Sequence, residues 1–382
     1  MEGYSKIKLP NGEAYVREIS MKKIADANSI VFDCDGVLID ASKSYNKAIS
    51  ETVSYLLGIF FGNKIKASPI TEDVIFAFRK TGGFNNDWNT TYIVIMFVMS
   101  KIPEQLFDAY SRIFKKANRQ EAIDPYARLG FAKRAISNEK LGIVIDRRIT
   151  NELIDFAGKL DFKGLQTAEK IILKGSAPKV RMLKLMKRFL CYPEDVTKSI
   201  IVSVFDEHFY GKLFKKVHGI DAKLGIERGT IENERLLIEK ATLSKLEEKF
   251  DRSIGMATGR GSIGTFFTLG KVKDYLNPKA LVFLEDIDPK DLEKKYGKPE
   301  PYALLKSSEP FANGASVIYV GDSAEDSIMA RRANKTKEFI FAAICGRGSL
   351  SEKKFDMFYK QKADIIASSV NDIPLILERV KN

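Results

Sequence analysis

The position of one short apolar run constrains the fold more than any other feature. Ser29-Ile-Val-Phe-Asp33 ends in an acid and is followed closely by glycine, the pattern of a buried parallel strand opening into a loop. Further runs of this kind come only after Asp251: Ser253 to Thr258, Ala280 to Leu284, Ser316 to Val320, Phe339 to Ile344 and Ala363 to Ala367, with helical stretches between them. Such alternation builds a parallel sheet with helices on its faces. The long segment that intervenes has helical periodicity instead, in Tyr45 to Leu57, Asp73 to Lys80, Thr90 to Ser100 and Val180 to Leu190. The simplest assembly puts the first strand and the later ones in one sheet, with the helical block inserted between the first and second strands.

The expected fold class is therefore α/β, a Rossmann-like parallel-sheet core carrying a large inserted α-helical domain. Ile7 to Glu18 reads as a hairpin turning at Asn11-Gly12. Residues 1–26 are expected as an N-terminal hairpin appendage, 27–41 with 251–382 as the core, and 42–250 as the helical insert. A chain of 382 residues is too long for one ordinary core, which agrees with more than one unit.

Composition narrows the function classes. Apolar residues at 45% and charged residues at 29% suit a globular protein and exclude a disordered or collagen-like one. The longest apolar run, Tyr92 to Met99, is far short of the roughly 20 residues that cross a bilayer, so no membrane partner is expected. Met1 to Ser20 has no apolar centre followed by a small-residue cleavage site. The three cysteines, Cys34, Cys191 and Cys345, are scattered, form no CxxC pair and suit a reducing, cytoplasmic setting. The only histidines, His208 and His218, have no cysteine nearby, which argues against zinc. The net charge of +12 comes from lysines spread through predicted helices, such as Lys215, Lys216, Lys294 and Lys295, and reads as solvated faces with no nucleic-acid partner.

In an open parallel sheet, ligands bind beyond the carboxyl ends of the strands. Four such ends carry polar groups: Asp33-Cys-Asp35-Gly36, Thr258-Gly259-Arg260, Glu285-Asp286, and Gly321-Asp322 through Asp326, with Lys298 in the loop before the last. Carboxylates converging from separate strands repel one another, so a fold that gathers them needs a cation, and oxygen ligands of this kind suit Mg²⁺.

These residues resemble the haloacid-dehalogenase-like hydrolases, and among them the phosphoglycolate phosphatase-like group, in which a helical cap is inserted after the first motif. The resemblance rests on four motifs in order: Phe32-Asp33-Cys34-Asp35-Gly36-Val37-Leu38, Met256-Ala257-Thr258-Gly259-Arg260, Lys298-Pro299-Glu300-Pro301, and Val320-Gly321-Asp322 through Asp326. It implies a phosphatase acting on a small phosphorylated metabolite through a phosphoryl-aspartate, with a phosphomutase as the nearest alternative. The implied metal ligands are Asp33, Asp322, Asp326 and the backbone carbonyl of Asp35. Phosphate would be held by Thr258, Gly259 and Lys298. Asp35, by the same resemblance, favours phosphatases and phosphomutases over family members that lack a second acid.

The chemistry accounts for these roles. A phosphate ester resists attack because its oxygens are anionic, so the site must supply positive charge and an aligned carboxylate. Asp33 is the expected nucleophile and Asp35 the acid that protonates the leaving alkoxide and later deprotonates water. In the insert, Gly82-Gly83-Phe84-Asn85-Asn86-Asp87-Trp88 resembles the specificity loop of such caps, so Asn85, Asn86, Asp87 and Trp88, with Arg260 in the core, are candidate specificity residues. A plain helix N-terminus, capped by Asn86 or Asp87 with Trp88 packing inward, explains the same cluster. Two rival classes remain. Gly259-Arg-Gly261-Ser-Ile-Gly264 matches the dinucleotide fingerprint of an oxidoreductase, with Glu285 about 20 residues on. A non-catalytic binding protein would have lost Asp33 or Asp35, and both are present.

Overall fold

A computed structural model describes residues 2–10, 12–62, 68–84, 86–119, 124–141, 144, 147–287, 296–311, 316–346 and 351–381. The chain divides into two compact units, residues 1–42 with 233–382, and residues 43–232.

The first unit is built on a mostly parallel sheet of eight strands. In chain order its strands, with those of a small ribbon, are β1 (Tyr4–Leu9), β2 (Gly12–Arg17), β3 (Ser29–Phe32), β4 (Ile39–Asp40), β5 (Arg235–Leu236), β6 (Ile254–Ala257), β7 (Leu281–Val282), β8 (Val317–Gly321), β9 (Phe339–Ile344) and β10 (Ile365–Ala367). The large sheet runs β1-β2-β10-β9-β8-β3-β6-β7, and β4 pairs with β5 separately. The strands from β10 to β7 are all parallel, while β2 runs antiparallel to both of its neighbours, β1 and β10. From β3 the chain moves outward through β6 and β7, then returns to build β8, β9 and β10 on the other side. The order thus reverses between β3 and β8, whose register sets Phe32 against Val320, and this leaves a crevice beyond their carboxyl ends.

These strands read as continuous apolar runs because both faces are covered: every residue of β3, β6, β8 and β9 is buried. The helix Tyr302–Ser308 packs on β6 and β7, Ala324–Ala333 on β9, and Ser351–Lys360 against β10. Val31, Ala257, Leu304, Val317, Tyr319, Met329, Phe341 and Phe358 belong to one buried cluster among them.

Two expected boundaries differ. The N-terminal hairpin is no appendage, since β2 pairs with β10 (Ile365 opposite Val16) and extends the sheet, burying Ala14 and Val16 on the way. Asn11 of its expected turn lies outside the described residues. The helix Lys240–Phe250, expected in the insert, belongs to the sheet unit, where Leu243, Leu246 and Phe250 are buried and the helix packs beside Ile373–Lys381. Its periodicity is that of any amphipathic helix, so the pattern carries no sign of which core it covers.

The second unit is helical. Its helices include Ser42–Phe61, Glu72–Arg79, Asp87–Met99, Phe107–Asn118, Ala177–Leu190 and Ile200–Tyr210. Side-chain caps start several of them: Thr71 accepts from Val74 N, Asn86 from Asn89 N, and Ser199 from Val202 N. In Asp87–Met99 every residue from Thr90 to Met99 is buried, which explains why this stretch is apolar on all sides. No helix among the described residues is long and apolar enough to cross a membrane.

Candidate active site

The carboxyl end of β3 delivers Asp33, whose N–H donates to Val320 O of β8 at 2.8 Å, continuing the ladder one step past the strand. Its side chain turns back, and Oδ1 accepts from Cys34 N at 2.7 Å. The next turn closes on itself through Leu38 N to Cys34 O at 2.9 Å and Gly36 N to Ile39 O at 2.8 Å. Gly36 has φ +75°, and a Cβ there would lie 2.3 Å from the Asp322 carboxyl carbon. Only glycine lets this turn approach the end of β8 so closely.

Asp322 follows β8 directly, and Asp326 stands in the first turn of the helix Ala324–Ala333. Asp326 is the anchored member. Its Oδ2 accepts from Ser323 N at 3.0 Å, Asp322 N at 3.2 Å and Ser323 Oγ at 2.6 Å, and its Oδ1 from Tyr319 Oη and Lys298 Nζ, each at 2.7 Å. Ser323 returns a cap to Asp326 N, so this acid both starts the helix and is locked by it. Lys298 Nζ also lies 2.7 Å from Asp33 Oδ1, and Lys354 Nζ donates to Asp322 Oδ2 at 2.6 Å.

One carboxylate oxygen from each of Asp33, Asp322 and Asp326 lies within 4.8 Å of the other two. Burial pushes the Asp33 carboxyl well above its ordinary range, with Asp326 and Asp322 adding to the shift and Lys298 opposing it. Burial likewise raises Asp322 against the pull of Lys354. For Asp326 burial is outweighed, by Lys298 first and then by Ser323 and Tyr319, and its carboxyl is lowered. Lys298 is raised, because the two carboxylates on it outweigh its own burial. Three acids, Asp33 and Asp326 buried and Asp322 half-buried, offset by two ammonium groups form a site that gains from one more positive charge. The donors are hard oxygens, and the set fits Mg²⁺.

Asp35 adds no carboxylate oxygen to this cluster among the described residues. Its Oδ1 accepts from Arg260 Nη1 at 2.7 Å. Arg260, expected among the specificity residues, is instead buried between two acids, with Nη2 donating to both oxygens of Glu234 at 2.9 and 2.8 Å. Thr258, just past β6, is 2% exposed, and its Oγ1 accepts from Arg260 N at 3.2 Å. Gly259 faces open space, since a Cβ there would meet nothing within 4 Å. The next helix, Ser262–Leu269, has its Ser262 N–H satisfied by Glu285 Oε1 at 2.7 Å. In the dinucleotide reading that N-terminus would receive a pyrophosphate and Glu285 a ribose. A carboxylate already seated there repels the first and withdraws the second.

The expected specificity residues of the helical unit are engaged within that unit. Asn86 caps the helix Asp87–Met99, Asp87 accepts from Arg79 Nη2 at 2.9 Å, and Trp88 Nε1 donates to Asp206 Oδ1 at 2.9 Å. Gly83 lies against the backbone of Gly164, with no room for a Cβ. Asn85 falls outside the described residues. The Asn86 cap and the Trp88 contact are those expected of a helix N-terminus.

Sequence reasoning missed Tyr319, Lys354 and Glu234. Tyr319 sits inside a strand and looks like core. Lys354 is one of many lysines, and Glu234 belongs to no motif. Only the folded chain brings them to the strand ends.

No family model matches the chain, and no curated relative matches it. The solved structure of the phosphatase Tt82 from Thermococcus thioreducens aligns at 19% identity over 86% of this chain and 98% of that one, with a TM-score of 0.49, a likeness too slight to carry an argument about chemistry.

Proposed function

We propose that the chain is a Mg²⁺-dependent phosphohydrolase of the haloacid-dehalogenase-like kind, cleaving a small phosphate monoester through a phosphoryl-aspartate on Asp33. The observation that carries the reading is the meeting of Asp33, Asp322 and Asp326 at the ends of β3 and β8, with Lys298 bridging two of them. Structural acids are usually paired with donors one by one, whereas these converge.

Asp33, Asp322 and Asp326 would hold the ion, with the Asp35 carbonyl as a further ligand. When bound, Mg²⁺ supplies charge that offsets the phosphoryl oxygens and the developing negative charge. Asp33 Oδ1 is fixed by Cys34 N and Lys298, so Oδ2 is the oxygen that bonds to phosphorus as the ester P–O bond breaks. Asp35 gives its proton to the departing oxygen. Water then bonds to phosphorus, the Asp33–phosphorus bond breaks, and the water proton passes to Asp35. Thr258 Oγ1 and the open Gly259 backbone would face the phosphoryl oxygens, and Lys298 offsets charge between nucleophile and substrate.

The test is phosphate release from a panel of monoesters with Mg²⁺. Activity is expected to vanish in Asp33→Asn and to fall steeply in Asp35→Asn. Undiminished release by Asp33→Asn sinks the proposal, and a product isomeric with its substrate, with no free phosphate, moves it to a mutase.

A further inference from the structure

We infer that Glu234 is a positioning residue for Asp35, acting through Arg260; the inference rests on the reading of Asp35 as the proton-transferring acid. Three stretches of chain meet here. Asp35 lies in the turn after β3, Arg260 in the loop after β6, and Glu234 immediately before β5. That last placement follows from the β4–β5 ribbon, in which Ile39 pairs with Leu236 and Asp40 with Arg235, while Leu237 N donates to Leu38 O at 2.8 Å. The ribbon ties the chain returning at residue 233 to the turn that carries Asp35.

The contacts among the three are directional. Arg260 Nη2 is held by both Glu234 oxygens, and Thr268 Oγ1 donates to Glu234 Oε2 at 2.6 Å, so the Glu234 carboxylate is itself oriented. A planar guanidinium gripped on one nitrogen can aim the other in few directions, and Nη1 reaches Asp35 Oδ1 at 2.7 Å. The Glu234 and Arg260 side chains are 0% and 3% exposed, and that of Asp35 is 37% exposed. One carboxylate, that of Glu234, suffices to balance the charge of the buried arginine. The second contact is not needed for charge balance, because water can solvate Asp35. Its effect is to fix one Asp35 oxygen and leave Oδ2, which has no hydrogen-bond partner among the described residues, to carry the proton. Holding an acid in a single orientation matters most when the leaving oxygen must receive that proton as its bond to phosphorus breaks.

The leaving group therefore gives the readout. Nitrophenolate departs from 4-nitrophenyl phosphate with little need of a proton, whereas the phenolate of phenyl phosphate needs one more. Because kcat/KM reports the steps up to phosphoryl transfer, later hydrolysis of the common intermediate does not obscure it. Glu234→Gln is expected to lower kcat/KM for phenyl phosphate by about tenfold or more, and for 4-nitrophenyl phosphate by no more than about threefold. Thr268→Val keeps both buried charges, protects the test against a folding failure, and should shift the same ratio in the same direction by a smaller factor. Equal loss on both esters, or no loss on either, in these variants overturns the inference while Asp35→Asn still discriminates between the esters. Wild-type protein that releases phosphate from neither ester overturns the phosphatase reading, and this inference with it.

Discussion

Two groups of acids, one in each unit and most of them buried, teach opposite lessons. In the helical unit Asp206 and Glu207 are neighbours on the helix Ile200–Tyr210, yet each meets its own donors. Asp206 accepts from Trp88 Nε1 and lies 2.8 Å from His218 Nε2, and Glu207 accepts from Lys223 N at 2.9 and 2.8 Å and from Leu224 N at 2.6 Å. In the sheet unit Asp33, Asp322 and Asp326 are gathered together, and two of them are pushed up by burial and by one another. Burial raises Asp206 as well, but His218 and Trp88 oppose it, with no second acid among the causes. A buried acid satisfied by donors of its own holds a fold together, while acids gathered at one point suit the cation proposed for this site.

The sharpest way to break this comparison is to exchange the consequences. Asp33→Asn should lower turnover by roughly 10⁴-fold or more, since the proposed nucleophile is gone. Its melting temperature should stay level or rise, because like-charge crowding is relieved. A large loss of stability would make Asp33 a structural acid like Asp206.

Metal binding comes next. Mg²⁺ at a hundred times its dissociation constant should stabilise the wild type by about 2.7 kcal/mol, seen as a rise in melting temperature that chelation reverses. Asp322→Asn should abolish that rise and Asp206→Asn should retain it. A rise surviving in Asp322→Asn places the ion elsewhere.

Asp206→Asn should cost about 1–3 kcal/mol in denaturant unfolding, because His218 loses its charged partner in a buried setting. Turnover per folded molecule should change little. Gly36→Ala should cost about 1–2 kcal/mol, since its φ of +75° is costly for an L side chain. The new Cβ would also press on Asp322, so the Mg²⁺-dependent rise should shrink too, and an unaltered rise would separate the turn from the metal site.

The smallest effect is expected from Trp88→Phe, about 1 kcal/mol for the lost hydrogen bond to Asp206. If KM rises with stability unchanged, Trp88 touches substrate and the helical unit is more than scaffold at that point.

Much of the sheet was legible because its strands are buried on both faces and read as unbroken apolar runs. Phe339 to Ile344 coincides with β9, and the strands from Ser29, Ser253 and Ser316 fall within a residue or two of β3, β6 and β8. The hairpin was legible as a hairpin but not as part of the sheet, because a strand's own residues specify its faces and not its neighbour. The acids at the strand ends were legible where spacing is local, as with Asp33 and Asp35, or Asp322 and Asp326. Arg260 was visible as a residue but not as a partner of Asp35, since 225 positions separate the two.

The sequence by itself determined which segments are the parallel strands of the large sheet, which acids stand at their ends, and that a helical block interrupts them, because periodicity and strand-end chemistry are properties of neighbouring residues. Tertiary structure alone decided which acids meet, which cations stand beside them, and that Glu234 grips Arg260, which in turn reaches Asp35. These contacts depend on strand order and on the β4–β5 ribbon, which bring together residues far apart in the chain.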